Sequence, residues 1–123
     1  VTYRRLISAE HVKILADIQV KHSTKLSQRS IEESASEAIH FGADEIIITG
    51  KYTGDAPEID KLRKVKECCV DAKIIVGSGI TRENITELGK YVNSAIVGTF
   101  FKENDKIILK KVKEITTIAK TML

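Results

Sequence analysis

Three apolar runs, each stopping at a glycine, constrain this chain more than anything else in it: IIITG at 46–50, IIVGSG at 74–79 and AIVGT at 95–99. An unbroken β-branched run fits a strand buried on both faces, which is the habit of parallel sheets covered by helices. The glycines that follow let backbone come close to a ligand or to a neighbouring loop. Gly77, Ser78 and Gly79 lie just ahead of a good helix N-cap at Thr81, so free N–H groups and a helix dipole would face any anion placed there. Gly98 and Thr99 repeat the arrangement one unit later. Two such loops on successive parallel strands would lie side by side and hold one phosphate between them.

The segments between the runs supply the helices. After a short helical stretch at 3–8, the segment KILADIQVKHS at 13–23 reads as a first strand whose Asp17, Gln19 and Lys21 share one face. Ser30 and Glu33 form a capping box, and Ile31, Ala35, Ala38 and Ile39 follow at helical spacing toward Gly42. A second strand at 45–49 leads to a loop at 50–56 and to a helix opened by Pro57, with Ile59, Leu62, Val65 and Cys69 on its apolar stripe. A third strand at 73–76 precedes a helix from Arg82 to about Tyr91. A fourth strand at 94–97 precedes a long helix over 105–120. Four βα units in a row predict one α/β domain over residues 1–123, built on a parallel sheet.

Four strands alone leave two edges with unpaired backbone groups. An open sheet, two chains pairing into a barrel-like dimer, or half of a longer barrel would each answer that, and the polar face of the first strand speaks against the simple open sheet. We therefore expect a homo-oligomer that hides the edges.

Composition narrows the partners. Twenty basic against 17 acidic residues leave a charge of +3, too little to argue for a nucleic-acid or membrane surface. No apolar run reaches the ~18 residues of a membrane span, and residues 1–10 lack the apolar core of a signal peptide, so a cytoplasmic location is expected. The two cysteines, Cys68 and Cys69, are adjacent and have no CxxC partner; packing is their expected role. His11 and His40 lack partners at metal spacing, and neither a metal nor a cofactor is expected.

The series DIQVKHS, TGKYTG, VGSGITRENI and IVGTFFK resembles the C-terminal half of the BtpA/SgcQ family, over about 17–102 of this sequence. The resemblance implies strands five to eight of a (β/α)8 TIM barrel, with phosphate loops after the last two. It also implies either a small-molecule enzyme or an assembly factor for photosystem I. After Phe101 and Lys102 the family usually carries a glycine-containing turn, whereas here Glu103 to Lys106 lead straight toward the last helix.

The candidate site follows. Gly77, Ser78, Gly79, Gly98 and Thr99 are the expected phosphate-binding set, the alternative being glycine required by tight turns. Lys21 and His22 stand at the end of the first strand, where barrels place acids, bases and amines, with Asp17 deeper on the same strand to orient Lys21. Thr53 and Asp55, in the loop after the second strand, are candidates for a substrate hydroxyl. The expected ligand is a phosphorylated sugar or nucleotide-like small molecule.

Overall fold

The computed structural model describes residues 1–19 and 29–122. Helix α1 (Thr2–Leu6) is followed by β1 (Leu15–Ile18), α2 (Ile31–His40), β2 (Glu45–Ile48), α3 (Ile59–Cys68), β3 (Ile74–Val76), α4 (Ile85–Leu88) and β4 (Ser94–Ala95). A short hairpin, β5 (Lys102–Glu103) and β6 (Lys106–Ile107), precedes the last helix, α5 (Leu109–Thr121). The first four strands form one parallel sheet in the order β1-β2-β3-β4, as four successive βα units require.

Register separates the two faces of this sheet. Ile18, Ile48, Val76 and Ala95 form one row, and Asp17, Ile47, Ile75 and Ser94 form the next. Because side chains alternate along a strand, these rows point to opposite sides. The first side carries the core: Ile18, Ile46, Ile48, Ile74 and Val76 pack with Ile31 and Ala35 of α2 and with Leu62 and Val65 of α3. Ile85, Leu88 and Ile115 bring α4 and α5 into the same cluster. Leu62 and Val65 are fully buried, each worth about 1.5–3 kcal/mol relative to an exposed side chain. On the other side Asp17 and Ser94 are exposed. Ile75 is buried but stands outside the main cluster.

Local rules account for most element ends. The Ser30 hydroxyl accepts from the Glu33 amide at 3.1 Å and the Glu33 carboxylate accepts from the Ser30 amide at 2.9 Å, so the capping box fixes the start of α2. Gly42, at φ +92°, turns the chain after it. At the opposite end of the sheet from the glycine loops, Asp44 accepts from the Ile14 amide and from Arg4 Nη1, both at 2.7 Å. The amide first, and then the guanidinium, hold the Asp44 carboxyl below its ordinary range.

The strand expected over 13–23 is described only as Leu15–Ile18, with Gln19 already at positive φ, the one expected at 94–97 is Ser94–Ala95, and two helix expectations are corrected. The helix expected over Arg82–Tyr91 shrinks to the single turn of α4, and its N-cap is Asn84 in place of Thr81. The Asn84 side chain reaches back into the preceding loop, so those residues turn without joining the helix. The long helix expected from residue 105 begins at Leu109. Asn104 and Asp105 both adopt positive φ, 47° and 59°, and make the two-residue turn of the β5–β6 hairpin. Such a turn needs left-handed residues at both central positions, and Asn and Asp tolerate that conformation better than most.

Candidate functional site

The C-terminal ends of the parallel strands form the end at which open α/β sheets and barrels bind ligands. Here a cleft of about 840 Å³ runs from Ile18 and Gln19 at the end of β1, along the loop after β2, to Gly79, Thr81 and Asn84. Gln19 takes φ 56° directly after β1, which bends the chain out of the strand at the cleft.

The loop after β3 is held by close contacts with the loop after β2. Gly77 donates its amide to Ile48 O at 2.9 Å, extending the ladder by one residue. A Cβ at 77 would fall 2.6 Å from Ile47 Cγ2 and 2.7 Å from Thr49 Cγ2. Ser78 is buried, and its hydroxyl donates to Asp55 O at 2.7 Å while accepting from the Gly50 amide at 3.2 Å. Gly79 has φ +73°, and a Cβ there would lie 2.0 Å from the Ala56 amide nitrogen. Asn84 closes the loop: its Nδ2 donates to Gly79 O and its Oδ1 accepts from the Thr81 amide, each at 2.8 Å. Hydrogen bonding to Thr81 first, and then to its own backbone amide, holds the neighbouring Glu83 carboxyl below its ordinary range.

Around Gly98 the surroundings differ. Gly98 and Thr99 are exposed at the start of a 3-10 turn (Thr99–Phe101), and a Cβ at 98 would meet nothing within 4 Å. Thr99 does approach the loop after β2 at Gly54, whose hypothetical Cβ would lie 3.8 Å from Thr99 Cγ2. Residues 54–56 thus touch both glycine loops.

The remaining candidates divide. Asp17 is exposed on the face of β1 opposite the core, in register with Ile47. Lys21 and His22 lie outside the described residues. Thr53 and Asp55 are exposed in the loop after β2, and Asp55 lines the cleft. Thr49 is a residue that sequence reasoning missed as a site member. Its Oγ1 is a buried hydroxyl without a hydrogen-bond partner among the described residues, and the side chain lines the same cleft. The sequence signal is the change from isoleucine to threonine at the last position of the IIIT run. Lys51 and Lys61 stand at the cleft as well, the former 5.5 Å from the Tyr52 ring centroid. No described helix is long and apolar enough to cross a membrane, and the described residues hold no group of three or more His, Cys, Asp or Glu placed to bind a metal ion.

Solved structures place the fold. The chain superposes on N-(5'-phosphoribosyl)anthranilate isomerase from Pyrococcus furiosus with a TM-score of 0.62 at 20% identity, covering 98% of this chain and 56% of that one. The Thermus thermophilus phosphoribosyl anthranilate isomerase gives a TM-score of 0.57 at 13% identity, covering 97% and 66%. Both are TIM barrels, so the four βα units correspond to the half-barrel expected from sequence. Among sequence relatives, an uncharacterised protein of Methanocaldococcus jannaschii is 36% identical over 88% of this chain and 42% of its own length. The photosystem I biogenesis protein BtpA of Synechocystis is 33% identical over 85% of this chain and 37% of its own. The chain thus spans less than half the length of these relatives. The model of the BtpA family matches residues 1–121, and the chain belongs to that family.

Proposed function

We propose that the strand-end cleft binds a phosphorylated sugar or nucleotide-like small molecule. The observation that carries this reading is the orphaned Thr49 hydroxyl: a buried O–H without a partner costs about 1–3 kcal/mol, a cost that a ligand oxygen in the cleft would relieve. In this account the phosphate meets the exposed backbone of Gly98 and Thr99 and the cleft-side edge of Gly79. Gly77 and Ser78, the other members of the phosphate set, hold the Gly79 loop in position. Lys51 and Lys61 add positive charge at the rim, and Thr53 and Asp55 take a sugar hydroxyl. Asp17, Lys21 and His22 carry whatever chemistry occurs at the reacting end, Asp17 orienting Lys21. The fold neighbours support the ligand class by analogy alone, since their names refer to a phosphoribosyl compound.

Thermal melts in chloride, phosphate, ribose and ribose 5-phosphate at constant ionic strength test the reading. A ligand at about 100 times its dissociation constant stabilises the fold by about 2.7 kcal/mol, several degrees for a domain of this size. A rise with ribose 5-phosphate that is absent with ribose is expected, and Thr49→Val should diminish it. Equal melting temperatures in all four solutions would remove the proposal.

The name of the Synechocystis relative favours a second reading, an assembly factor whose partner is a protein. The sheet face opposite the core and the edge strands β1 and β4, as seen among the described residues, offer such a surface. They also suit a second copy, β1 of one chain pairing with β4 of the other about a two-fold axis. Retention of relatives' partner binding in a Thr49→Val, Gly98→Asp double variant would favour this reading over the ligand site.

A further inference from the structure

Away from the cleft, near the N-terminal ends of β2 and β3, α3 stops between the two cysteines of the chain. Cys68 is its last residue, and Cys69 leaves the helix at φ −128°, ψ 69°. On a continuing helix neighbouring side chains point about 100° apart and do not face each other. The break at Cys69 brings the two Sγ atoms to 3.0 Å. Sequence alone assigns them to packing; the geometry makes them a pair of thiols. Cys68 is exposed and Cys69 half-buried, and a cavity of about 480 Å³ lined by both, with Ser36, His40 and Asp71, opens beside them. Cys68 Sγ also donates to Val65 O at 3.5 Å, and the Ser36 hydroxyl lies 3.5 Å from Cys69 Sγ.

We propose that Cys68 and Cys69 form a vicinal dithiol site for trivalent arsenicals. A divalent metal ion held by protein side chains wants three or four ligands, and no such cluster occurs among the described residues. Arsenic(III) needs only two adjacent sulfurs. With an organoarsine oxide each thiol gives its proton to the arsenic-bound oxygen as an S–As bond forms. Two S–As bonds replace the As–O bonds, the oxygen leaves as one water, and no atom changes oxidation state. The Ser36 hydroxyl stands where it can hydrogen-bond the remaining oxygen when the ligand is arsenite. The thiols suit this chemistry better than oxidation: burial first, and then its hydrogen bond with Cys69, push the Cys68 thiol up to about 11. At neutral pH Cys68 is therefore held as the neutral thiol, poor in the thiolate that disulfide exchange requires.

The probe is phenylarsine oxide, added to the reduced chain and followed by intact mass and by titration of free thiols. The wild type should take one equivalent, lose both free thiols, keep the arsenical in excess glutathione and release it to 2,3-dimercaptopropanol. Cys68→Ser and Cys69→Ser should each weaken binding by about 100-fold or more, since one attachment loses the effective concentration of the second. Cys68 is exposed, so its serine variant should melt with the wild type, and that melt is measured alongside. Release of the wild-type adduct to glutathione, or binding by the folded Cys68→Ser chain within about tenfold of wild type, would overturn the proposal.

Discussion

The two glycine loops look alike in sequence and behave differently in the fold. After β3, Gly77 and Gly79 lie where a side chain cannot be built, one against Ile47 and Thr49, the other against the backbone of Asp55 and Ala56. After β4, Gly98 has open space around it. The first loop is a joint that lets the chain after β2 fold down onto β3, with the Ser78 hydroxyl as its pin. The second is a surface. A missing Cβ therefore serves close packing in one loop and leaves open space in the other, and in the proposed function the ligand-facing share of the motif shifts from the β3 loop toward the β4 loop and the cleft.

The largest effect expected from this contrast is at Gly79. Alanine there must take a left-handed φ and also displace Ala56; the two costs together destabilise by about 3 kcal/mol, seen as a drop of about 10 °C or more in Tm. A Gly79→Ala chain that melts with the wild type would break the comparison at its strongest point. Ser78→Ala comes next. It leaves the Gly50 amide and the Asp55 carbonyl without their shared partner and should cost about 2 kcal/mol in chemical denaturation. Asn84→Ala removes two bonds from a half-buried position, and about 1–2 kcal/mol is expected. Gly98→Ala closes the series at about 0.5 kcal/mol or less, because the new methyl meets nothing. A cost at Gly98 approaching that at Gly79 would erase the difference between the loops.

Much of the fold is legible in the sequence because its signals are local. The β-branched runs at 46–48 and 74–76 form strands, and Ser30 with Glu33 makes the expected capping box, since residues three apart determine it. The β5–β6 hairpin escapes the sequence reading, although Asn104 and Asp105 between Glu103 and Lys106 carry a turn signal; the helical pattern beyond them draws the expected helix start four residues too early. At α4 the sequence suggests a helix start at Thr81, yet the side chain that organises the loop is Asn84, which bonds backward to Gly79. The site is less legible for a physical reason. A glycine required by Ala56, more than twenty residues earlier in the chain, is written identically to one required by a ligand. Thr49 shows the converse: its hydroxyl is buried without a partner among the described residues, which only the folded chain reveals.

Calorimetric titration of ribose 5-phosphate into the wild type and into Gly98→Asp tests the account most directly, because that substitution places a negative charge at the open loop, where a Cβ has space around it. The account predicts saturable binding to the wild type and its loss in Gly98→Asp, with both chains melting at the same temperature in the absence of ligand. Equal binding by the two chains would contradict it.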